Sequence, residues 1–409
     1  MGYLKQTIKG LSWVGAFRIS SRFVSFLRTI VLARILLPAQ FGVFGIISLV
    51  LSFLAILTEV GVTFVLVKEE NLDDDYINTA WLISLFRGLF SSLIIILSAK
   101  SITRFFHTPE IYSFLILASL IPLIRGLINP AVAKFQKELL FKKEFNLKFS
   151  VFAIDSLVAI VLTFLTRSAV SLVWGLIAGS ILEVILSFTL ARPLPKFSFN
   201  VVRFNKIIGE GKWITALGIS NFFFGQGDNL VVGKLLGSGP LGVYQMAYKL
   251  AILPITELAD IVARVTFPVY SKIARNPGRI KKAFRKTALG IAFPAVLLGL
   301  IFFLFPKSIV KILLGSNWLG VIPVLRVLAV FGTIKALLSP SLTLLLSLGK
   351  QKCVTLVTFW SFCFLALMIF PLMSKFGIIG AAYAVLIATL LEVPIVFLYL
   401  NRSFEQKKL

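Results

Sequence analysis

Long apolar runs separated by short polar breaks fill the chain from residue 11 to residue 400. A helix needs about 20 apolar residues to cross the hydrocarbon core of a bilayer. On that rule the pattern predicts about twelve spans, at 11–37, 41–67, 79–98, 111–133, 149–166, 170–191, 213–236, 241–267, 283–305, 319–348, 354–373 and 377–400. Pro38-Ala39-Gln40, the 166–169 gap, the 237–240 break and Ser374-Lys375-Phe376 mark short turns on one side of the membrane. The turns on the other side are longer and basic.

Basic residues crowd 134–148, 192–212 and 268–286, and recur at Lys5, Lys9, Lys350, Lys352, Arg402, Lys407 and Lys408. The opposite side has Lys100, Arg104, Arg167, Lys307, Lys311 and Lys375. The ratio, about 25 to about 6, places both termini in the cytoplasm by the positive-inside rule. One cytoplasmic loop runs against the trend, with Glu69, Glu70, Asp73, Asp74 and Asp75. Acidic residues weigh little in that rule, and the loop reads as a solvated one.

Composition agrees with lipid as the solvent. Of 409 residues, 58% are hydrophobic and 14% charged. A soluble domain is about 45–50% apolar and about 25% charged. The 42 Lys and Arg against 17 Asp and Glu lie mostly between spans, which argues for topology and against nucleic acid as a partner. Cys353 and Cys363 share one apolar span without metal-ligand spacing. The single histidine, His107, reads as an ordinary loop residue.

The chain repeats itself. Residues 29–44 read TIVLARILLPAQFGVF, and 229–244 read NLVVGKLLGSGPLGVY. Arg34 falls on Lys234, Leu36 on Leu236, and Gly42-Val43 on Gly242-Val243. Farther on, Lys100-Ser101-Ile102 matches Lys307-Ser308-Ile309. Arg125-Gly126-Leu127-Ile128-Asn129-Pro130 matches Lys335-Ala336-Leu337-Leu338-Ser339-Pro340, and Leu182-Glu183-Val184 matches Leu391-Glu392-Val393. An even number of spans per copy makes the repeats parallel, and such repeats commonly bracket a substrate path. The expected fold is therefore an all-α integral membrane protein of about twelve helices. Residues 1–195 and 196–409 are expected to form its two six-helix lobes, with a substrate path at their interface.

Ionisable groups inside a bilayer cost several kcal/mol unless wet or paired, so each is a functional candidate. The basic ones are Arg18, Arg22, Arg28, Arg34, Arg87, Arg125, Lys234, Lys249, Arg264, Arg326 and Lys335. The acidic ones are Glu59, Asp155, Glu183, Asp228, Glu257, Asp260 and Glu392. Arg34, Lys234, Arg326 and Glu392, near span ends, can snorkel. On the eighth span Gln245, Lys249, Glu257, Asp260 and Arg264 share an arc of about 120°. This stripe either lines a cavity or packs lobe to lobe. The seventh span puts Asn221, Gly225 and Asp228 on one face. The 200-residue offset makes Asp228 the counterpart of Arg28, and the two are expected to pair as a gate across the lumen.

Gly211-Lys212-Trp213, the run Asp228-Asn229-Leu230-Val231-Val232-Gly233-Lys234-Leu235-Leu236-Gly237, Leu241-Gly242-Val243-Tyr244, Ala247-Tyr248-Lys249-Leu250 and Phe267-Pro268 resemble one known family. The Arg-rich first span, ending in Leu36-Leu37-Pro38 before Phe41-Gly42-Val43-Phe44, resembles its beginning. It is the polysaccharide transporter family of the multidrug/oligosaccharidyl-lipid/polysaccharide exporter superfamily. The resemblance implies flipping or export of a lipid-linked oligosaccharide for surface polysaccharide assembly. It also implies that the path between the two six-helix lobes is a central cavity, flanked by the first and seventh spans.

The expected substrate-binding residues are Arg18, Arg22, Arg28, Arg87, Asn221, Asp228, Lys249, Glu257, Asp260 and Arg264. Guanidinium presents a fork matched to phosphate oxygens, which suits a pyrophosphate. The runner-up is a multidrug cation exporter, which would favour buried carboxylates. An enzyme is not expected, for want of a nucleophile–base pair, metal cluster or glycine-rich phosphate loop. No metal or cofactor is expected. Partners are the lipid-linked oligosaccharide, membrane lipid and polysaccharide assembly proteins, at the cell membrane.

Overall fold

The computed structural model describes residues 20–405 except 23, 59, 60, 70, 71 and 275. Arg18, Glu59 and Glu70 lie outside the described residues. All regular structure among them is helical. In order come α1 (20–35), α2 (Pro38–Thr58), α3 (Val62–Lys68), α4 (Asp74–Phe105), α5 (Ile111–Ala118), α6 (Leu120–Gly126), α7 (Ala133–Lys137), α8 (Phe141–Thr166), α9 (Val170–Leu190) and α10 (Val201–Leu236). Then follow α11 (Ser238–Ile273), α12 (Pro277–Leu304), α13 (Pro306–Leu313), α14 (Val321–Ser347), α15 (Gln351–Phe376) and α16 (Ile378–Glu405).

Among the described residues, eight helices are long and apolar enough to cross a membrane, and the bent α5–α7 segment makes a ninth. Helices α10 and α11, 36 residues each, reach about 54 Å at 1.5 Å per residue. Asn221, Gln226, Asp228 and Asn229 make the middle of α10 less apolar, Glu257, Asp260 and Arg264 interrupt α11, and α1 is described only in part. Together these elements fill the expected set of about twelve spans.

Polar side chains set the helix starts. Asp73 accepts the Tyr76 N–H at 3.0 Å to open α4. Asn200 accepts from Val202 and Arg203 to open α10, and Asn276 accepts from Arg279, with Pro277 next, to open α12. Free amides at a helix start need such acceptors. Two expectations change here. The basic segments read as loops are partly helical: Arg203, Lys206 and Lys212 ride on α10, and Lys281, Lys282, Arg285 and Lys286 on α12. The caps lie well outside the apolar runs, so the helices overshoot the bilayer. The fourth span is also not one straight helix. Asn129 caps a short 3-10 turn at Pro130–Val132, and the direction changes by 68° there, because proline cannot continue the preceding hydrogen-bond ladder.

Packing divides the chain into two compact units, Met1–Ser238 and Gly239–Leu409. The repeat assigns α10 to the second half, whereas α10 packs against α2, α3 and α4. Covalent register and packing thus divide the chain one helix apart. Inside each unit the same partners recur. In the first, α4 packs on α6, α8 on α9, and α6 on α9. In the second, α12 packs on α14, α15 on α16, and α14 on α16. This is the packing the sequence repeat requires.

Small residues set the closest approaches. A Cβ on Gly88 would lie 2.5 Å from the Pro122 carbonyl oxygen, and one on Gly126 2.8 Å from that of Ser84. α4 and α6 therefore touch backbone to backbone, as small residues allow in membrane bundles. Gly175 brings α9 onto α8 beside Asp155 in the same way. By contrast, Gly209 and Gly225 of α10 open onto empty space.

Candidate functional site

Charged groups gather at four places. The first joins α1 to α8. Arg28 Nη1 donates to Asp155 Oδ2 at 2.8 Å and to Ser156 Oγ at 3.5 Å. Both charged side chains are 12% accessible. The Asp155 Oδ1 is buried with no hydrogen-bond partner among the described residues. Asp155, rather than Asp228, is the carboxylate on Arg28, which corrects the expected gate. α8 carries Asp155 to α1, while the buried Asp228 turns Oδ1 onto the Asn229 N–H of its own helix at 2.8 Å. An intramembrane acid was visible at Asp155, but no periodicity says which helices will be neighbours.

The second place is the interior of the first unit. A cavity of about 290 Å³ lies among α2, α4, α6 and α9, with Thr58, Ser91, Ile121 and Leu176 in its walls. Another of about 390 Å³ reaches Gln136, Glu144, Lys148 and Glu183. Arg87 and Arg125 line both. Arg87 was an expected site residue, and Arg125 was not. The signal for Arg125 was its place in the repeat. Its Nε donates to Ser180 Oγ at 3.2 Å and lies 3.9 Å from Glu183 Oε2. The second unit carries the counterpart: Lys335 stands over the Phe331 ring at 5.3 Å and acts electrostatically on Glu392, which accepts from Ser361 at 3.4 Å. Both cation–carboxylate pairs fall where the repeat aligns them.

The third place is the acidic segment 69–75, whose Asp73, Asp74 and Asp75 are exposed, as expected of a solvated segment, and which also finds basic partners. Asp73 pairs with Arg203 at 2.6 Å and Glu69 with Lys206 at 2.5 Å. Lys68 pairs with Glu210 at 2.9 Å, and Asn200 donates to Asp75 at 3.2 Å. The Arg203 guanidinium also lies over the Tyr76 ring at 4.2 Å. The bond from Lys206 holds Glu69 below the usual carboxylate value, against the opposing effect of burial, and Glu69 in turn raises Lys206. The acidic loop thus clasps the start of α10, because basic residues read as loop lie on one helical turn facing it.

The fourth place is α11. Lys249, Asp260 and Arg264 are exposed and Glu257 is half-buried, while Ile252, Ile255 and Ala259 are buried. The polar stripe therefore faces away from the core that Ile255 and Ala259 make with Ile291, Ala295 and Ala336. Of the other expected residues, Arg22 and Asn221 are exposed, and Arg18 is outside the described residues.

Residues 31–323 match the family described as polysaccharide biosynthesis protein. A membrane protein in the cps region of Klebsiella pneumoniae is 25% identical over 97% of this chain and 82% of its own length. The lipopolysaccharide biosynthesis protein WzxC of Escherichia coli K12 is 24% identical over 86% of this chain and 72% of its own. Among solved structures, the lipid II flippase MurJ, inward closed, superposes with a TM-score of 0.75 at 16% identity, covering 96% and 89% of the two chains. An inward-facing multidrug resistance transporter of the MATE family gives 0.73 at 14%, covering 95% of each. At such identities the superpositions speak for the fold, and the family match speaks for descent. The chain is a multi-pass membrane protein that belongs to the polysaccharide biosynthesis protein family.

Proposed function

We propose that this protein flips a polyprenyl-(pyro)phosphate-linked oligosaccharide across the cell membrane for surface polysaccharide biosynthesis. It works by alternating access of two lobes, 1–195 and 196–409, with both termini in the cytoplasm. The family match over 31–323 carries this reading. The half-buried Arg28 and Arg87 support it, since an anionic head group needs cationic forks along its path. Arg18, Arg22, Arg28, Arg87, Asn221 and Asp228 contact substrate from the first seven spans. Lys249, Glu257, Asp260 and Arg264 do so from the eighth, whose charged stripe avoids lipid by facing water. The protein transports and does not catalyse. Polysaccharide assembly proteins receive its cargo.

The test is deletion of the gene followed by extraction of lipid-linked sugars. Accumulation of one oligosaccharide on the cytoplasmic leaflet, reversed by the intact gene, supports the reading. Unchanged lipid-linked sugars together with hypersensitivity to cationic dyes would overturn it in favour of a drug exporter.

A further inference from the structure

The two guanidiniums shared by the cavities stand in matching sequence. Phe86-Arg87-Gly88-Leu89-Phe90 lies on α4, and Ile124-Arg125-Gly126-Leu127-Ile128 at the end of α6. The glycines are where the two helices touch: a Cβ on Gly88 would lie 2.9 Å from the Gly126 Cα. Each arginine precedes its glycine, so the two side chains leave from the point of closest backbone approach. Arg87 lies about eight residues, or about 12 Å, from the basic end of its span, and Arg125 lies one residue before the break that ends α6. Among the described residues, Arg125 bonds through Nε alone, to Ser180 and toward Glu183. Its terminal amino groups are left to the cavities, and the side chain is 47% accessible. The ionisable groups lining the larger cavity are Arg87, Arg125 and Lys148 against Glu144 and Glu183. Lys148 and Glu144 pair at 2.5 Å and Arg125 lies 3.9 Å from Glu183, so the lining keeps a net positive charge, carried by the two arginines against one carboxylate.

We propose that Arg87 and Arg125 form an oxyanion clip inside the first unit that takes the phosphate or diphosphate of the transported lipid. This rests on the flippase reading and adds Arg125, with Ser180 and Glu183 as its positioning residues. A planar fork held at Nε offers its two outer N–H groups in parallel, the geometry that bidentate phosphate recognition uses. Lys335, the repeat counterpart, is a point charge already engaged with Phe331 and Glu392. It serves as the internal control.

The intact protein in phosphatidylcholine nanodiscs is titrated with inorganic pyrophosphate and, separately, with sulfate at equal ionic strength. Labelling of arginines by phenylglyoxal is mapped by mass spectrometry. Pyrophosphate is expected to protect Arg87 and Arg125, and sulfate to protect them far less. Arg125→Gln should weaken pyrophosphate binding at least tenfold, Arg125→Lys by less, and Lys335→Gln not at all. Nanodiscs doped with polyprenyl diphosphate should give the same protection, and phosphatidylglycerol should not, which separates the carrier lipid from a bulk lipid head group. Parental binding by both Arg125 variants, or equal loss in Lys335→Gln, overturns the clip. Arg125→Gln that flips lipid-linked oligosaccharide at the parental rate overturns its transport role and leaves the flippase reading standing. An unaltered protein that flips none overturns the flippase reading itself.

Discussion

Replacing Asp155 by leucine should destabilise the protein by about 3–5 kcal/mol, the cost of leaving a buried charge without its partner. The structure supports that size independently. With Nη1 to Oδ2 at 2.8 Å, the charge centres are about 4 Å apart, worth about 4 kcal/mol at an effective dielectric of about 20. At 12% accessibility on each side chain, little solvent screening reduces it. Arg28→Met should cost a similar amount, because Asp155 already has one oxygen without a hydrogen-bond partner and would lose its only ion pair shown. The double variant Arg28→Met/Asp155→Leu should lie within about 1 kcal/mol of the parent, since an apolar pair of similar volume removes both desolvation costs. The assay is equilibrium unfolding of purified protein in mixed micelles, followed by helical circular dichroism, run as a double-mutant cycle. A coupling energy of several kcal/mol is expected. Strict additivity of the single effects would falsify the claim that this pair ties α1 to α8.

Other expectations test the rest of the architecture. Gly88→Ala places a methyl 2.5 Å from the Pro122 carbonyl oxygen and should cost about 1–3 kcal/mol by overpacking. Gly209→Ala, with open space around it, should be neutral or stabilising by about 0.5–1 kcal/mol; melting curves compare the two, and equal shifts refute the α4–α6 contact. The clasp at 69–75 should depend on acid pH. Glu69 lies below its ordinary value of 4.5, so its contribution is complete above that pH and is lost as pH falls through the lowered value. Protease nicking of 191–200 should rise as pH falls through that lowered value, and Lys206→Ala should be nicked already at neutral pH; resistance of that variant at both neutral and acid pH refutes the clasp. Cysteines at Gly278 and Ser238 should label from opposite sides of the membrane, cytoplasmic and external; labelling of both from one side sinks the proposed topology.

How far the sequence reaches can be argued from particular residues. The spans were legible because each must satisfy the bilayer by its own length and apolarity, which is local information. The alignments of Arg125 with Lys335 and of Glu183 with Glu392 were legible, but that the members of each cation–carboxylate pair meet was not, since a repeat says only that neighbours in one half recur in the other. The partner of Arg28 was not. Asp155 and Asp228 are equally polar interruptions of apolar runs, and choosing between them needs the order in which helices pack. The helical starts of α10 and α12 were hidden because charged residues suit a loop and a solvated helix end alike; only the caps at Asn200 and Asn276 distinguish them. The exposure of Asp73, Asp74 and Asp75 was legible, but their basic partners were not, lying about 130 residues downstream.

Helix α10 carries Gly209 and Gly225 where neither meets a neighbouring atom. Each costs a helix roughly 1 kcal/mol relative to alanine, so the two together leave α10 about 2 kcal/mol softer than packing demands. Its start is held by the Asp73, Glu69 and Glu210 ion pairs, and at its far end Ser238 presses on Gly42. Gly209 lies inside that clasp, beside Glu210, so the give of the rod falls at Gly225, between the two held ends. Over about 54 Å, a bend of about 10° near one end carries the other about 9 Å sideways. Elastic compliance, set by a glycine beside which a Cβ would meet no neighbour, is thus written into the helix that follows the linker between the repeats.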